Sequence, residues 1–376
     1  MQTEQSVQSP LRQPRHNTSM TTTEISTSFA SQASELGRLV EESRRIVTLC
    51  HMSPDGDAVG SSLAFASMAR RMGKMVNVIT PDAPQKSLMC LPHAKEIVVG
   101  SHKPELARRL IAEADLIMMF DFNTLSRIDR LAEAVAQARG RKAVVDHHAW
   151  PDIEADLVVS APHRSSTCEL LYELVEANGM LNHLDSEGAS CLYCGMMTDT
   201  GNFSYNSNNP RLYHIVADLI GRGVDKDSIY KKVWNVSSAS RLRLCGYAIS
   251  MKMETLGHLH GALIHLTHGE LERFGYVRGD TEGLVNEPLA IPGVVWSAFL
   301  REDAPDYVKV SMRSQGDFAV NTICADHFSG GGHANAAGGE LHCSISEAVA
   351  KVKEVMEGYS SHLPQGLPNI IDNFQP

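Results

Sequence analysis

From residue 34 onward the sequence alternates short apolar runs with amphipathic stretches of helical length, and this alternation limits the chain to few architectures. Apolar runs at 46–50, 76–79, 97–99, 116–120, 143–145 and 157–159 read as strands. Helices are expected at 34–45, 56–72, 104–114, 127–138, 167–178 and 186–197. Strands separated by helices of this length form a mostly parallel sheet covered by helices, an α/β fold. Ligands of such sheets gather beyond the C-terminal ends of the strands.

Residues 209–250 read as consecutive helices. Strands return at 260–266, 294–300 and 307–312, with helices near 268–273, 319–327 and 344–357. The expected organisation is a disordered N-terminal extension (1–33), a first α/β domain (34–222), a helical linker (223–254), a smaller α/β domain (255–360) and a loose tail (361–376). A start at Met20 would fit the fold equally well.

A hydrophobic fraction of 43% excludes disorder as the main state. The net charge of −10 works against a continuous track for long nucleic acid, so no duplex DNA binding is expected. No apolar stretch reaches the ~20 residues that a bilayer requires, and the first 30 residues lack the apolar segment of a secretory signal. Of the eight cysteines only Cys191 and Cys194 form a CxxC, with no second pair to complete a zinc set. They lie in an apolar run and read as small buried hydrophobes; reduced thiols and a cytoplasmic location follow.

Chemistry concentrates where the apolar runs stop. The run 46–50 leads into His51-Met-Ser-Pro-Asp55-Gly-Asp57, the run 116–120 into Asp121, and the run 143–145 into Asp146-His147-His148. The helix-like run 189–197 leads into Asp199. One such Asp alone would be a helix N-cap. Four segments that each deliver carboxylate or imidazole to one sheet edge repel one another unless cations neutralise them. Carboxylate mixed with imidazole, without thiolate, suits Mn²⁺ or Mg²⁺ before Fe, Co or Zn. A pair of such ions favours hydrolysis of a phosphoester or phosphoanhydride.

These segments resemble the four motifs of the DHH phosphoesterase superfamily. Gly330-Gly331-Gly332-His333-Ala-Asn-Ala-Ala-Gly338 is similar to the glycine-rich signature of the DHH-associated domain. The resemblance spans about residues 34–355 and implies a catalytic domain, a smaller substrate-binding domain and an active site in the cleft between them. The compact length and Glu282-Gly-Leu-Val-Asn286 resemble the NrnA-type enzymes, oligoribonucleases that are also 3′-phosphoadenosine 5′-phosphate phosphatases.

Carried over residue by residue, the resemblance implies that His51, Asp55 and Asp121 hold one metal. Asp57, His147 and Asp199 hold the second, with Asp121 shared. His148 would meet a phosphate or leaving oxygen, and Asp146 would orient a histidine. In the second domain Gly330, Gly331 and Gly332 would bring backbone N–H groups to a phosphate, with His333 donating and Arg313 gripping it bidentately. Ser61, Asn286 and Arg127 are further candidates, Ser61 and Arg127 having alternative readings as a helix cap and a surface charge. The histidines 258, 260, 265 and 268 read as satisfied or exposed, the Met pairs 118–119 and 196–197 as packing, and Trp234 and Trp296 as buried in a core or an interface rather than stacked on a base.

The implied activity is two-metal hydrolysis of short RNA or small phosphonucleotides, with Mn²⁺ the expected ion and Mg²⁺ compatible. Cyclic-dinucleotide phosphodiesterase, manganese-dependent pyrophosphatase and non-catalytic nucleotide binding remain open alternatives. A homodimer is compatible with this reading, on which the sequence itself is silent.

Overall fold

A computed structural model describes residues 22–371, which divide into two units at Val236/Ser237. The division falls inside the segment expected to be a helical linker. Among the described residues no helix is long and apolar enough to cross a membrane.

The first unit begins with α1 (Thr22–Glu42), followed by β1 (Arg45–Cys50), α2 (Gly56–Arg71), β2 (Met75–Thr80), β3 (Val98–Val99) and α3 (Pro104–Glu113). Then come β4 (Leu116–Phe120), α4 (Ala132–Gln137), β5 (Arg141–Asp146), β6 (Leu157–Ser160), α5 (Thr167–Ala177) and α6 (Ser186–Asp199). α7 (Pro210–Gly221) and the short α8 (Lys226–Ile229) complete it. The six strands are all parallel, in the order β3-β2-β1-β4-β5-β6. Strand order reverses at β1 and β4, the switch point at which such sheets open a ligand crevice.

α1 starts upstream of residue 34, which corrects the reading of the N-terminal segment for residues 22–33; residues 1–21 lie outside the described residues. The helix is drawn out by an apolar stripe, with Phe29 packed on the core and Ala33, Leu36, Leu39 and Val40 buried in it. The polar residues between them, Ser31, Gln32 and Ser34 among them, hide this 3.6-residue period. Gln32 and Asn178 add side-chain bonds to the Val158 and Ala33 carbonyls at 3.1 and 3.2 Å.

α2 is buried from Gly56 to Ala69 and packs closely on α6. Small residues permit the approach: a Cβ on Gly60 would strike the Cys191 carbonyl oxygen, and one on Gly195 would strike the Cys168 sulfur and Asp57. Cys191 and Cys194 are buried and not disulfide-bonded, as the apolar reading expected. The Met pairs are likewise core.

The second unit contains α9 (Ala239–Tyr247), β7 (Met253–Leu256), β8 (Gly261–Leu266), α10 (His268–Arg273), β9 (Trp296–Ala304) and β10 (Tyr307–Ser314). α11 (Val320–His327), β11 (Gly331–His333), β12 (Ala336–Leu341) and α12 (Ile345–Gly358) follow. Its sheet runs β11-β12-β10-β9-β8-β7, with only β8 and β9 parallel. The glycine-rich stretch is therefore a hairpin rather than a free loop. Leu363 and Leu367 pack on this unit's core, which ties down part of the segment expected to be a loose tail, and residues 372–376 lie outside the described residues. Trp296 is fully buried and donates Nε1–H to the Leu259 carbonyl at 2.8 Å, whereas Trp234 is 40% exposed and so is not a core residue.

Candidate active site

The register of the first sheet sets the site. Cys50 pairs with Phe120 and Phe120 with Val145, so β1, β4 and β5 end level. His51 and Asp121 follow directly, and Asp146 ends β5 beside them. Asp121 turns away in the left-handed region at φ 65°, a conformation that costs a non-glycine residue about 1–2 kcal/mol. That strain sits at the carboxylate on which the site converges.

Three groups of donor atoms lie within 4.8 Å of one another: His51, Asp55 and Asp121; Asp57, His147 and Asp199; and Asp121, His147 and His148. His51 Nε2 stands 3.3 Å from Asp121 and 3.8 Å from Asp55. His147 Nε2 stands 3.4 Å from Asp199 and 3.6 Å from Asp121. Asp121 lies in two of the three groups, with His51 and Asp55 and with His147 and His148, and it meets the Asp57–His147–Asp199 group through His147.

Most of these donors are held from behind. Nδ1 of His51 meets the Met52 carbonyl at 2.8 Å and Nδ1 of His147 meets the Arg164 carbonyl at 3.3 Å, which turns both Nε2 atoms inward. Asp55 caps α2: its Oδ1 accepts from the N–H groups of Asp57 and Ala58, and Oδ2 faces His51. Asp57 is fully buried, and its two oxygens accept from the N–H groups of Thr167 and Cys168 at 2.6 and 2.9 Å. The start of α5 thus fixes a carboxylate carried by α2. The Thr167 hydroxyl donates to Asp121 Oδ1 at 3.0 Å. Asp146, also buried, takes both the backbone N–H and Nδ1 of His148 on its Oδ1, at 3.0 and 2.6 Å.

The electrostatics register this crowding of charge. Burial and the Asp121 charge push the Asp57 carboxyl up to about 7. Burial, joined by the neighbouring charge of Asp57, also raises Asp199 well above the carboxylate range. Burial works against the His51 cation, but Asp121 and Asp55 outweigh it and raise the ring to about 11; His147 rises to about 9 through Asp121 and Asp199. Burial likewise opposes ionisation of Asp121, yet His51 and the other histidines hold its carboxyl low. A cation amid these carboxylates would do what those protons do. The donor chemistry, imidazole with carboxylate, fits a divalent ion of intermediate or hard character.

Other candidates fall elsewhere. Ser61 is corrected: it is fully buried inside α2 and its hydroxyl donates to the Asp57 carbonyl of its own helix at 2.7 Å. The spacing of four that placed it near Asp57 is a helical back-bond. The Arg127 side chain is exposed, and its carbonyl accepts from the Met52 N–H at 2.7 Å. Of the other histidines, His258 meets Glu357 at 2.7 Å and His260 the Gly293 carbonyl at 3.0 Å.

In the second unit, Arg313 and His333 both lie opposite Ala336, so they share one face of the sheet two strands apart, roughly 10 Å. Between them Ala336, Ser311, Gly338 and Gly331 carry little or no side chain. Asn286 is exposed and follows Val285, whose carbonyl accepts from Ser297, the β9 partner of Arg313. The glycine triplet is corrected in part. The Gly330 N–H is engaged by the Cys324 carbonyl, and a Cβ at Gly330 or Gly332 would strike the β12 backbone. Gly332 also has φ 144°. Only Gly331 has open space beside it.

Comparison with known proteins places this geometry. Residues 45–196 match the DHH family, N-terminal domain, and residues 264–358 match the DHHA1 domain. An exopolyphosphatase-related protein from Bacteroides fragilis is 44% identical and superposes with a TM-score of 0.86, over 88% of this chain and 97% of that one. The chain belongs to the DHH family. Within the DHH family it is 28% identical to the bifunctional oligoribonuclease and PAP phosphatase NrnA of Thermus thermophilus, over 81% of this chain and 87% of that protein. RecJ of Thermus thermophilus in complex with Mn²⁺ shares the fold at 13% identity and a TM-score of 0.52, over 89% of this chain and 55% of RecJ.

The DHH motifs were legible in sequence, but two of their supports were not. Thr167 binds Asp57 and Asp121 at once, and no local pattern marks it. Asn123, two residues beyond Asp121, holds the segment after His148. Its proximity to the motif was the available signal.

Proposed function

We propose that the chain is a two-metal phosphoesterase that degrades short oligoribonucleotides, dinucleotides upward, to mononucleotides and converts 3′-phosphoadenosine 5′-phosphate to AMP. The observation that carries the reading is the Asp121 carboxylate, which stands 3.3 Å from His51 of one donor set and 3.6 Å from His147 of the other. Likeness to an oligoribonuclease and PAP phosphatase over most of both chains supports the substrate class.

In this reading His51, Asp55 and Asp121 hold one ion and Asp57, His147 and Asp199 the other, Mn²⁺ being preferred and Mg²⁺ suitable. Such ions supply Lewis acidity at phosphorus and an activated water near neutral pH. The Met52 and Arg164 carbonyls keep the Nε2 lone pairs of His51 and His147 turned inward, and α5 keeps Asp57 from rotating away. His148 assists the leaving oxygen through Nε2, while Asp146 holds the proton at Nδ1. In the second unit, Arg313, His333, Asn286 and the exposed backbone of Gly331 are the groups suited to a substrate phosphate. Buried free thiols accord with the cytoplasm.

The test is turnover of a ladder of short RNAs in Mn²⁺ and then in chelator, beside a cyclic dinucleotide, 3′-phosphoadenosine 5′-phosphate and pyrophosphate. Linear dinucleotides should be cleaved, and Asp121→Ala and His147→Ala should each lower kcat at least 10³-fold. Full turnover by both variants would defeat the reading.

A further inference from the structure

We infer that Trp150 is the stacking platform for a nucleobase of the substrate, an inference that rests on the proposed nucleotide reaction and deepens it. Trp150 is 86% exposed, more than any other large hydrophobic side chain among the described residues. Its backbone is left-handed, at φ 59°. Folding gains almost nothing from an indole left in water, and the left-handed backbone costs about 1–2 kcal/mol more. A flexible loop would relax out of that conformation, but this one is pinned. The Asn123 side chain donates to the Ala149 carbonyl at 2.7 Å, and the Asn123 carbonyl accepts from the Asp152 N–H at 2.7 Å. Thr124 bridges to Asp152, and the Ser160 hydroxyl holds the His148 carbonyl at 2.9 Å.

The pinned tryptophan therefore stands two residues, at most ~7 Å of backbone, beyond His148, and its anchor Asn123 stands two residues beyond Asp121. The same scaffold that fixes the reacting centre fixes the backbone that carries the indole. A nucleotide with its phosphate at the donor cluster has one apolar, planar part to place nearby, its base. A π-face stacks on any base, and stacking of this kind contributes about 1–3 kcal/mol per base. Trp150 thus adds affinity without reading sequence, as degradation of mixed short RNAs requires.

The experiment compares wild type, Trp150→Ala and Trp150→Phe on dinucleotides and on analogues in which one ribose or the other lacks its base. Trp150→Ala should raise KM on dinucleotides about 5- to 150-fold with kcat within about twofold. Trp150→Phe should restore most of the affinity. On one of the two base-lacking analogues, wild type and Trp150→Ala should have equal KM. Fluorescence with an uncleavable phosphonate-linked dinucleotide supplies a readout independent of turnover: indole quenching should saturate in wild type and vanish in Trp150→Ala. Trp150-dependent quenching with no cleavage of any dinucleotide would keep the platform and sink the reaction. Cleavage with KM unchanged in Trp150→Ala would sink the platform. So would a change of oligomeric state with KM unchanged, which would assign the indole to a contact between copies.

Discussion

The hydroxyl of Thr167 donates to Oδ1 of Asp121 across 3.0 Å, while the Thr167 N–H donates to Oδ2 of Asp57 across 2.6 Å. One residue at the start of α5 thus sets the position of two carboxylates from two other elements. Thr167→Val keeps the shape and removes the hydroxyl. It should weaken Mn²⁺ binding about 10- to 100-fold with the fold intact, and Thr167→Ser should recover most of the loss. Titration of the ion by calorimetry, with circular dichroism as the fold control, distinguishes these outcomes.

Ser61 provides the contrary case. Its hydroxyl serves carbonyls of its own helix, and the residue is fully buried. Ser61→Ala should leave kcat and KM within about twofold and stability within about 1 kcal/mol, since alanine favours a helix interior. A tenfold loss of activity would return Ser61 to the binding machinery.

The glycine triplet should separate into two behaviours. Gly330→Ala and Gly332→Ala drive a methyl group into the β12 backbone and should lower Tm by several degrees through the β11–β12 hairpin. Gly331→Ala meets open space, so Tm should stay while KM rises. Melting curves beside KM values for the three variants check this; a uniform Tm loss would refute the distinction.

Glu270 gives the second unit a dependence on acid. Burial pushes its carboxyl up, but the Thr267 N–H, the Tyr247 hydroxyl and Lys252 outweigh burial and hold it at about 2. A carboxyl lowered on folding stabilises above its unfolded value near 4.5, and this contribution is lost as pH falls from there toward about 2. After allowance for solvent screening the effect is about 1–2 kcal/mol. Denaturant unfolding across that window should show it in wild type and not in Glu270→Gln.

What the sequence revealed was local. An apolar run that stops at Asp or His is visible residue by residue, so β1, β4 and β5 and the donors at their ends could be read directly. Contributions that depend on distant chain were hidden. Thr167 looks like any helix-start threonine until α5 is set against Asp57, and Trp150 is unremarkable until its exposure is known. The β11–β12 hairpin was not foreseen because glycine has poor strand propensity, yet here close backbone approach requires it at Gly330 and Gly332. The start of α1 was missed because polar residues diluted its apolar stripe.

The proposed donors run from His51 to Asp199 and come from the ends of separate strands and helices, so ion loading would stitch together stretches of chain that no covalent cross-link joins. Free energy of ion capture is then also free energy of folding for the first unit. Scarcity of the ion would shorten the lifetime of the protein as well as silence it, making its abundance follow the supply of divalent cation.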